Sequence, residues 1–210
     1  MKRILKFLFL LSILKVNSQN SFEGIINFKV KIETHKDSIE LNRKLIDKYG
    51  EDISMYYFKN ASLSVNYLDN NGKILYYSKF SPTTGIMTTH FKNKGVENVK
   101  KSSTIELAFL EKRKIANENI IGKDCECFEY KTEDRSALIY KLTYCFSSKT
   151  PKIDYRNFKE CKDFFMKEYY ETSERPYLKY IIENKFMKVT WEAQDIQTKE
   201  IDQSIYNNGS

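Results

Sequence analysis

Three of the four cysteines lie in one stretch, Gly122 to Ser147, which reads GKDCECFEYKTEDRSALIYKLTYCFS. Cys125 and Cys127 form a C-x-C, Cys145 closes the stretch, and Cys161 follows alone. Thiols so placed can bind a soft metal, exchange electrons, or staple strands together. Structural zinc sites space their ligands as two C-x₂₋₄-C-like pairs. Here the second pair is split, and the two histidines, His35 and His90, have no ligand-pair spacing. A C-x-C also lacks the βαβ surroundings of a thioredoxin-like redox centre. The stretch therefore reads as a structural staple, with no metal and no cofactor expected. Four cysteines in an exported chain make two disulfides, for which three connectivities exist.

Other chemistry is sparse. The sequence has no G-x-S-x-G, no H-E-x-x-H and no Gly-rich phosphate loop. His35 falls in a loop before the first helix, and His90 near a strand end beside Thr88 and Thr89. Glu126 and Glu129 point to opposite faces of one strand and cannot work as a pair. Asp163, Glu168 and Glu171 read as the solvated side of a helix. No catalytic residue is assigned, and an enzyme is not expected. Tyrosines recur as neighbours at Tyr56-Tyr57, Tyr76-Tyr77 and Tyr169-Tyr170. On a strand, each such pair puts one ring inside and one outside. The outer rings either meet a glycan, lipid or partner surface, or pack across strands with the hydroxyl in water. Trp191 is expected in the core.

The elements that must position these residues begin after a leader. Residues 1–18 carry basic Lys2 and Arg3, an apolar run from Ile4 to Val16, and a Val16-Asn17-Ser18 cleavage site. That is a secretory signal peptide, too short in its apolar part to span a membrane. No cysteine stands near the cut for lipid attachment. The expected location is therefore the periplasm or the medium. The leader holds four basic residues (Lys2, Arg3, Lys6, Lys15) and no acid, so its removal takes the net charge from +7 to +3. The remaining charges are interspersed, which removes the support for a nucleic-acid partner. The expected organisation is a single domain over residues 19–194, followed by a polar tail at 195–210 that frays.

Within the domain, Ser21 to Glu33 alternates Phe22, Ile26, Phe28, Val30 and Ile32 against Glu23, Asn27, Lys29 and Lys31, a half-buried strand. Asp37 opens a short amphipathic helix that Gly50 ends. Strands are expected at 53–59, 61–68, 73–80, 83–91 and 105–113, with a polar loop at 92–103. The cysteine hairpin follows. Phe158, Cys161, Phe165 and Tyr169 then fall on one helical stripe. Last come strands at 177–183 and 186–193. Nine or ten strands with short connections and two helices make an antiparallel α+β fold. A sheet of that width curls.

The hairpin's apolar faces require paired numbers with an even sum. A sum of 270 sets Glu129 opposite Lys141, an attractive pair, and Cys125 opposite Cys145. The favoured disulfides are then Cys125–Cys145 and Cys127–Cys161, with the exchange of Cys125 and Cys127 a near equal. A Cys125–Cys127 bridge is disfavoured by distance.

Several short motifs together carry a resemblance. They are FEGIINFKV (Phe22 to Val30), IIGKDC (Ile120 to Cys125), YCFSSKTP (Tyr144 to Pro151), PYLKY (Pro176 to Tyr180), VTWEAQDI (Val189 to Ile196) and IDQSIY (Ile201 to Tyr206). The chain resembles a broad group of uncharacterised exported proteins of Gram-negative bacteria, related at fold level to the GLPGLI-type and LolA/LolB-like families. The GLPGLI signature itself is absent, with Pro176 to Tyr180 in its place. The resemblance implies a strongly curved antiparallel half-barrel with helices packed on its concave side. It also implies an apolar cavity that, in the lipoprotein carriers, takes up acyl chains. Such a cavity would be lined by Ile26, Phe28 and Val30 of the first strand and Phe128, Tyr130, Tyr140 and Leu142 of the hairpin. Phe158, Phe165 and Trp191 would complete it. The same faces equally suit a filled core. Two functions remain: a binding or carrier protein for a lipid or other apolar ligand, and a protein-interaction module of an envelope assembly.

Overall fold

The computed structural model describes residues 21–35, 39–91, 96–101 and 107–208. The expected leader, residues 1–18, lies outside them. Among the described residues no helix is long and apolar enough to cross a membrane.

The first strand is the centre of the molecule. β1 (Gly24–Thr34) buries Ile26 and Phe28 and turns Lys29 and Lys31 to solvent, as its alternation demands. Both of its edges are used. On one side β1 pairs with β2 (Asp52–Tyr57), followed in order by β3 (Leu63–Leu68), β4 (Ile74–Ser81), β5 (Ile86–Phe91) and β6 (Val96–Lys101). On the other side it pairs with β11 (Met187–Thr198). Beyond that strand lie β10 (Lys179–Glu183), β9 (Ile139–Phe146), β8 (Lys123–Glu133) and β7 (Ala108–Ile120). All pairs are antiparallel, and the eleven strands form one curved, unclosed sheet, an α+β half-barrel with edges at β6 and β7. Gly24 is needed where it stands: a Cβ there would lie 2.0 Å from the Gln197 carbonyl oxygen.

Helices cover the concave face. α1 (Ile39–Tyr49) buries Leu45 and Tyr49 and leaves the Lys44–Glu40 ion pair outside. Gly50, at φ +72°, ends it with its N–H on the Ile46 carbonyl, 2.8 Å away. The stripe from Phe158 to Tyr169 is not one helix, as its spacing suggests. It is two 3₁₀ turns, Tyr155–Phe158 and Asp163–Phe165, followed by α2 (Met166–Ser173). The Lys167 N–H reaches back to the Cys161 carbonyl at 2.8 Å, closing a turn too wide for a helix. Phe164 and Phe165 take the left-handed φ values, +51° and +60°, that this loop needs. Phe165 thereby stacks on Tyr130, with ring centroids 6.0 Å apart.

Three further departures have clear causes. Part of the expected loop at 92–103 is β6. Its sequence, VENVKK, is of the charged kind that edge strands carry. β7 runs on to Ile120, with Arg113 and Lys114 paired to Glu129 and Glu126 of β8. The polar tail begins later than residue 195, because β11 continues to Thr198 to pair the start of β1. Ile201 is buried with its N–H on the Glu23 carboxylate at 3.0 Å, and α3 (Gln203–Asn208) sets Tyr206 edge-on to Phe58.

The hairpin register corrects the cysteine assignment. β8 and β9 pair with a sum of 272: Cys127 faces Cys145, Tyr130 faces Leu142 and Lys131 faces Lys141. The face parity is as expected, but the turn is longer. Asp134 accepts the N–H groups of Ser136 and Leu138 at 2.8 and 3.0 Å, and Ala137 takes a φ of +58°. The Glu129–Lys141 attraction that favoured the shorter turn is satisfied elsewhere, with Glu129 on Arg113 and Lys141 on Glu183. The disulfide is therefore Cys127–Cys145. Cys125 and Cys161 remain as buried thiols rather than a second bridge, with Cys161 Sγ against Met166 Sδ at 3.8 Å. Burial pushes the Cys125 thiol up to about 11. Removing the disulfide as C127A/C145A should cost about 3 kcal/mol, the loop-closure entropy of a ring this size. Urea unfolding of the two proteins, compared at equal slope, measures it.

Candidate functional site

The register of the sheet's first half assembles a cavity wall in three rungs. One rung runs Tyr57, Leu63, Phe80 and Met87 across β2 to β5. The middle rung runs Met55, Val65, Ser78, Thr89 and Asn98 across β2 to β6. The third runs Ile53, Tyr67, Tyr76 and Phe91. Side chains two apart on a strand share a face, so all three rungs look inward; of their β2 members Met55 is on the cavity lining, and Ile53 and Tyr57 are buried off it. The C-terminal half of the sheet faces them with Tyr180, Ile182 and Trp191, joined by Tyr144, Tyr177, Phe164 and Met166. Between the two sets lies a cavity of about 400 Å³. Lys48 and Asn98, both exposed, stand on its lining.

The wall is held by aromatic contacts. Tyr67 stacks on Tyr76 at 4.1 Å, and Tyr76 meets Phe91 at 5.2 Å. The Tyr76 hydroxyl donates to the Lys48 carbonyl, tying β4 to the end of α1. Trp191 lies edge-on to Tyr67 and Tyr180, at 5.9 and 5.2 Å. The Tyr144 hydroxyl donates to the Phe164 carbonyl at 2.8 Å, which fixes the left-handed turn beside the cavity. Burial holds the phenols neutral: Tyr49 is pushed up to about 12, and Tyr76 and Tyr144 are raised well above the ordinary phenol value. Ser78 and Thr89 share a hydrogen bond of 2.9 Å. Among the described lining residues Lys48 alone carries a charge. Such a surface can hold a hydrocarbon chain by burial and offers few points of hydrogen bonding.

Of the residues expected to line a cavity, Trp191 does so. Ile26, Phe28, Val30, Tyr130, Leu142 and Phe158 are instead buried in packed core, and Phe128, Tyr140 and Phe165 pack against it partly buried. The expectation took the middle of the sheet and the hairpin, where Phe165 stacks on Tyr130 and Tyr169 of α2 stacks on Tyr144. The cavity opens instead over β2 to β5, with Phe164 and Met166 on its lining. The signal in the sequence was there: 63–67, 76–80 and 87–91 each form an inward stripe, broken in β4 and β5 by a central Ser78 or Thr89.

The other candidate groups lie apart. His90 stacks on Tyr77 at 4.6 Å, on the face away from the cavity. His35 borders a second groove of mixed lining, with Leu138, Ile139, Lys141, Glu183 and Lys185. Glu118 and the two sulfurs of Cys127 and Cys145 lie within 4.8 Å of one another, but the sulfurs are bonded together and Glu118 holds Lys179 at 2.5 Å. Those atoms have no thiolate to give a metal. Tyr57 and Tyr76 are the inner members of their pairs, as expected on strands, whereas Tyr169 and Tyr170 on α2 are both buried.

The fold and the cavity define a class: an open antiparallel half-barrel with an apolar interior chamber. No protein-family model matches the chain, and no curated protein matches it. Among solved structures it is similar to the Mycobacterium tuberculosis lipoprotein LppX, at 7% identity and a TM-score of 0.41, over 86% of this chain and 89% of that one.

Proposed function

We propose that the protein is an exported binding or carrier protein that holds an apolar ligand, such as a lipid chain, in the chamber between β2–β5 and Trp191. The observation that carries this reading is the chamber itself. A volume of about 400 Å³ with an almost wholly apolar lining falls in the range of ligand pockets. An interaction module with a solid core would have no use for it. The Cys127–Cys145 disulfide supports an oxidising compartment, the periplasm or the medium, in keeping with the leader.

Trp191 is the one tryptophan of the chain and stands in the chamber wall, so its emission reports occupancy directly. The test uses the full chain, expressed with its leader and purified from the periplasmic fraction, with a bromine-labelled dodecyl chain as quencher. Saturable quenching is expected. Val65→Phe puts a ring into the chamber from the middle rung, where Val65 is only partly buried. It should weaken binding at least about tenfold while leaving the melting temperature equal or higher, since cavity filling stabilises. Quenching that does not saturate, or that Val65→Phe leaves unchanged, would sink the proposal.

A further inference from the structure

The chamber wall is not uniformly apolar, and its polar part is ordered. Along the middle rung the side chains run Asn98, Thr89, Ser78, Val65, Met55 from the β6 edge inward. Asn98 is exposed, Thr89 is half-buried and Ser78 is 8% exposed. The rungs on either side are apolar or aromatic at the same depth: Leu63, Phe80 and Met87 on one, Tyr67, Tyr76 and Phe91 on the other. A track of aliphatic hydroxyls and an amide thus enters from the sheet edge and gives way to Val65 and Met55. The Ser78 and Thr89 hydroxyls spend one hydrogen bond on each other, which leaves one O–H donor and acceptor capacity on both.

Resting on the carrier reading above, we infer that the occupant is a single-chain amphiphile with an uncharged, hydrogen-bonding head, such as a hydroxyl, ester or amide. The head lies along Asn98, Thr89 and Ser78, and the chain runs inward over Val65 and Met55 toward Trp191. A plain hydrocarbon would leave the remaining O–H donor of the Ser78–Thr89 pair with nothing to bond in an apolar wall, which is costly. An ionised head fares worse, because it gives up its hydration with no charge on the track to receive it. The charged lining residue, Lys48, belongs to a different rim. Its carbonyl is bound by Tyr76 of the aromatic rung. It also stands at the C-terminus of α1, whose carbonyl ends repel an anion.

The test compares three dodecyl compounds below their micellar concentrations: monododecanoyl glycerol, dodecanoate and dodecyltrimethylammonium. Each is titrated against Trp191 emission of the full-length protein purified as above. The neutral head is expected to bind at least about tenfold more tightly than either ion. Ser78→Ala with Thr89→Val removes both hydroxyls at once and leaves no polar group stranded. It should reduce the affinity for monododecanoyl glycerol by about fivefold to tenfold per hydrogen bond lost, with the ions and the melting temperature unmoved. Equal or tighter binding of an ion by the unmodified protein overturns the inference, as does neutral-head selectivity that survives the double substitution. If none of the three compounds perturbs Trp191, the carrier reading fails beneath it.

Discussion

Above pH 10 the folded protein is expected to lose stability at about 7 kcal/mol per pH unit. Tyr57, Tyr144, Tyr169, Tyr170 and Tyr177 are each at most 3% exposed. Burial, the largest cause in every case, raises all five phenols above their ordinary value. In the unfolded chain a tyrosine ionises near pH 10. From there upward the folded state holds protons that the unfolded state releases, so stability falls as pH rises. Below pH 10 both states keep the proton, and these groups make no pH dependence. Tyr130 adds to the loss up to about 12, and the Cys125 thiol, held up to about 11, starts it earlier, near pH 9. A domain of ordinary stability, about 5–15 kcal/mol, should therefore unfold within about two units above pH 10. Absorbance at 295 nm and circular dichroism followed together against pH check this. The buried phenols should ionise in one steep step that coincides with loss of β-sheet signal. A gradual titration centred on pH 10 with the sheet intact would show that these rings are open to water.

The second large effect is Phe158→Ala, expected to cost about 3–5 kcal/mol. Phe158 is 1% exposed. It stacks on Phe80 of β4 at 6.1 Å and packs on Tyr170 of α2 at 4.3 Å, so it joins the N-terminal half of the sheet to the segment covering the C-terminal half. Behind it, the Tyr57 and Tyr170 hydroxyls share a hydrogen bond of 3.2 Å. Truncation leaves a void among rings that stack from several directions and cannot close together. Urea unfolding should show a lower midpoint at unchanged slope. Phe186→Ala is the control. That ring is 46% exposed, and its removal should change stability by less than about 0.5 kcal/mol. A Phe158→Ala midpoint equal to the control's would mean that the two halves are not coupled through this ring.

Both predictions rest on aromatic packing, and so does the chamber. The abundance of tyrosine and phenylalanine was plain in the sequence; where the rings leave a space was not. Each strand's inward stripe was legible by alternation, since that depends only on neighbours along one chain. Which stripes would be filled depends on the break at Phe164 and Phe165, which puts Phe165 on Tyr130 of the hairpin and leaves Phe164 and Met166 on the cavity lining. A helical stripe with the right spacing gave no sign of that break. It is set by a hydrogen bond from Lys167 to Cys161 and by the Tyr144 hydroxyl on Phe164.

The cysteines show the same division. Parity of the hairpin followed from its apolar faces, and parity excludes half of all registers. The choice between sums of 270 and 272 lay with a turn closed by one Asp134 carboxylate, and with charges whose partners come from β7 and β10 rather than from each other. By itself, then, the sequence determined an antiparallel sheet of many alternating strands, two covering helices and a staple within Gly122–Ser147. These are properties of short stretches and their periods. Only the tertiary structure decided that Cys127 meets Cys145 and that Ile26 and Phe28 are core while Ser78 and Thr89 face a chamber. Those outcomes turn on which distant segments pack on each apolar face, and burial goes to whichever packing leaves the least apolar surface in water.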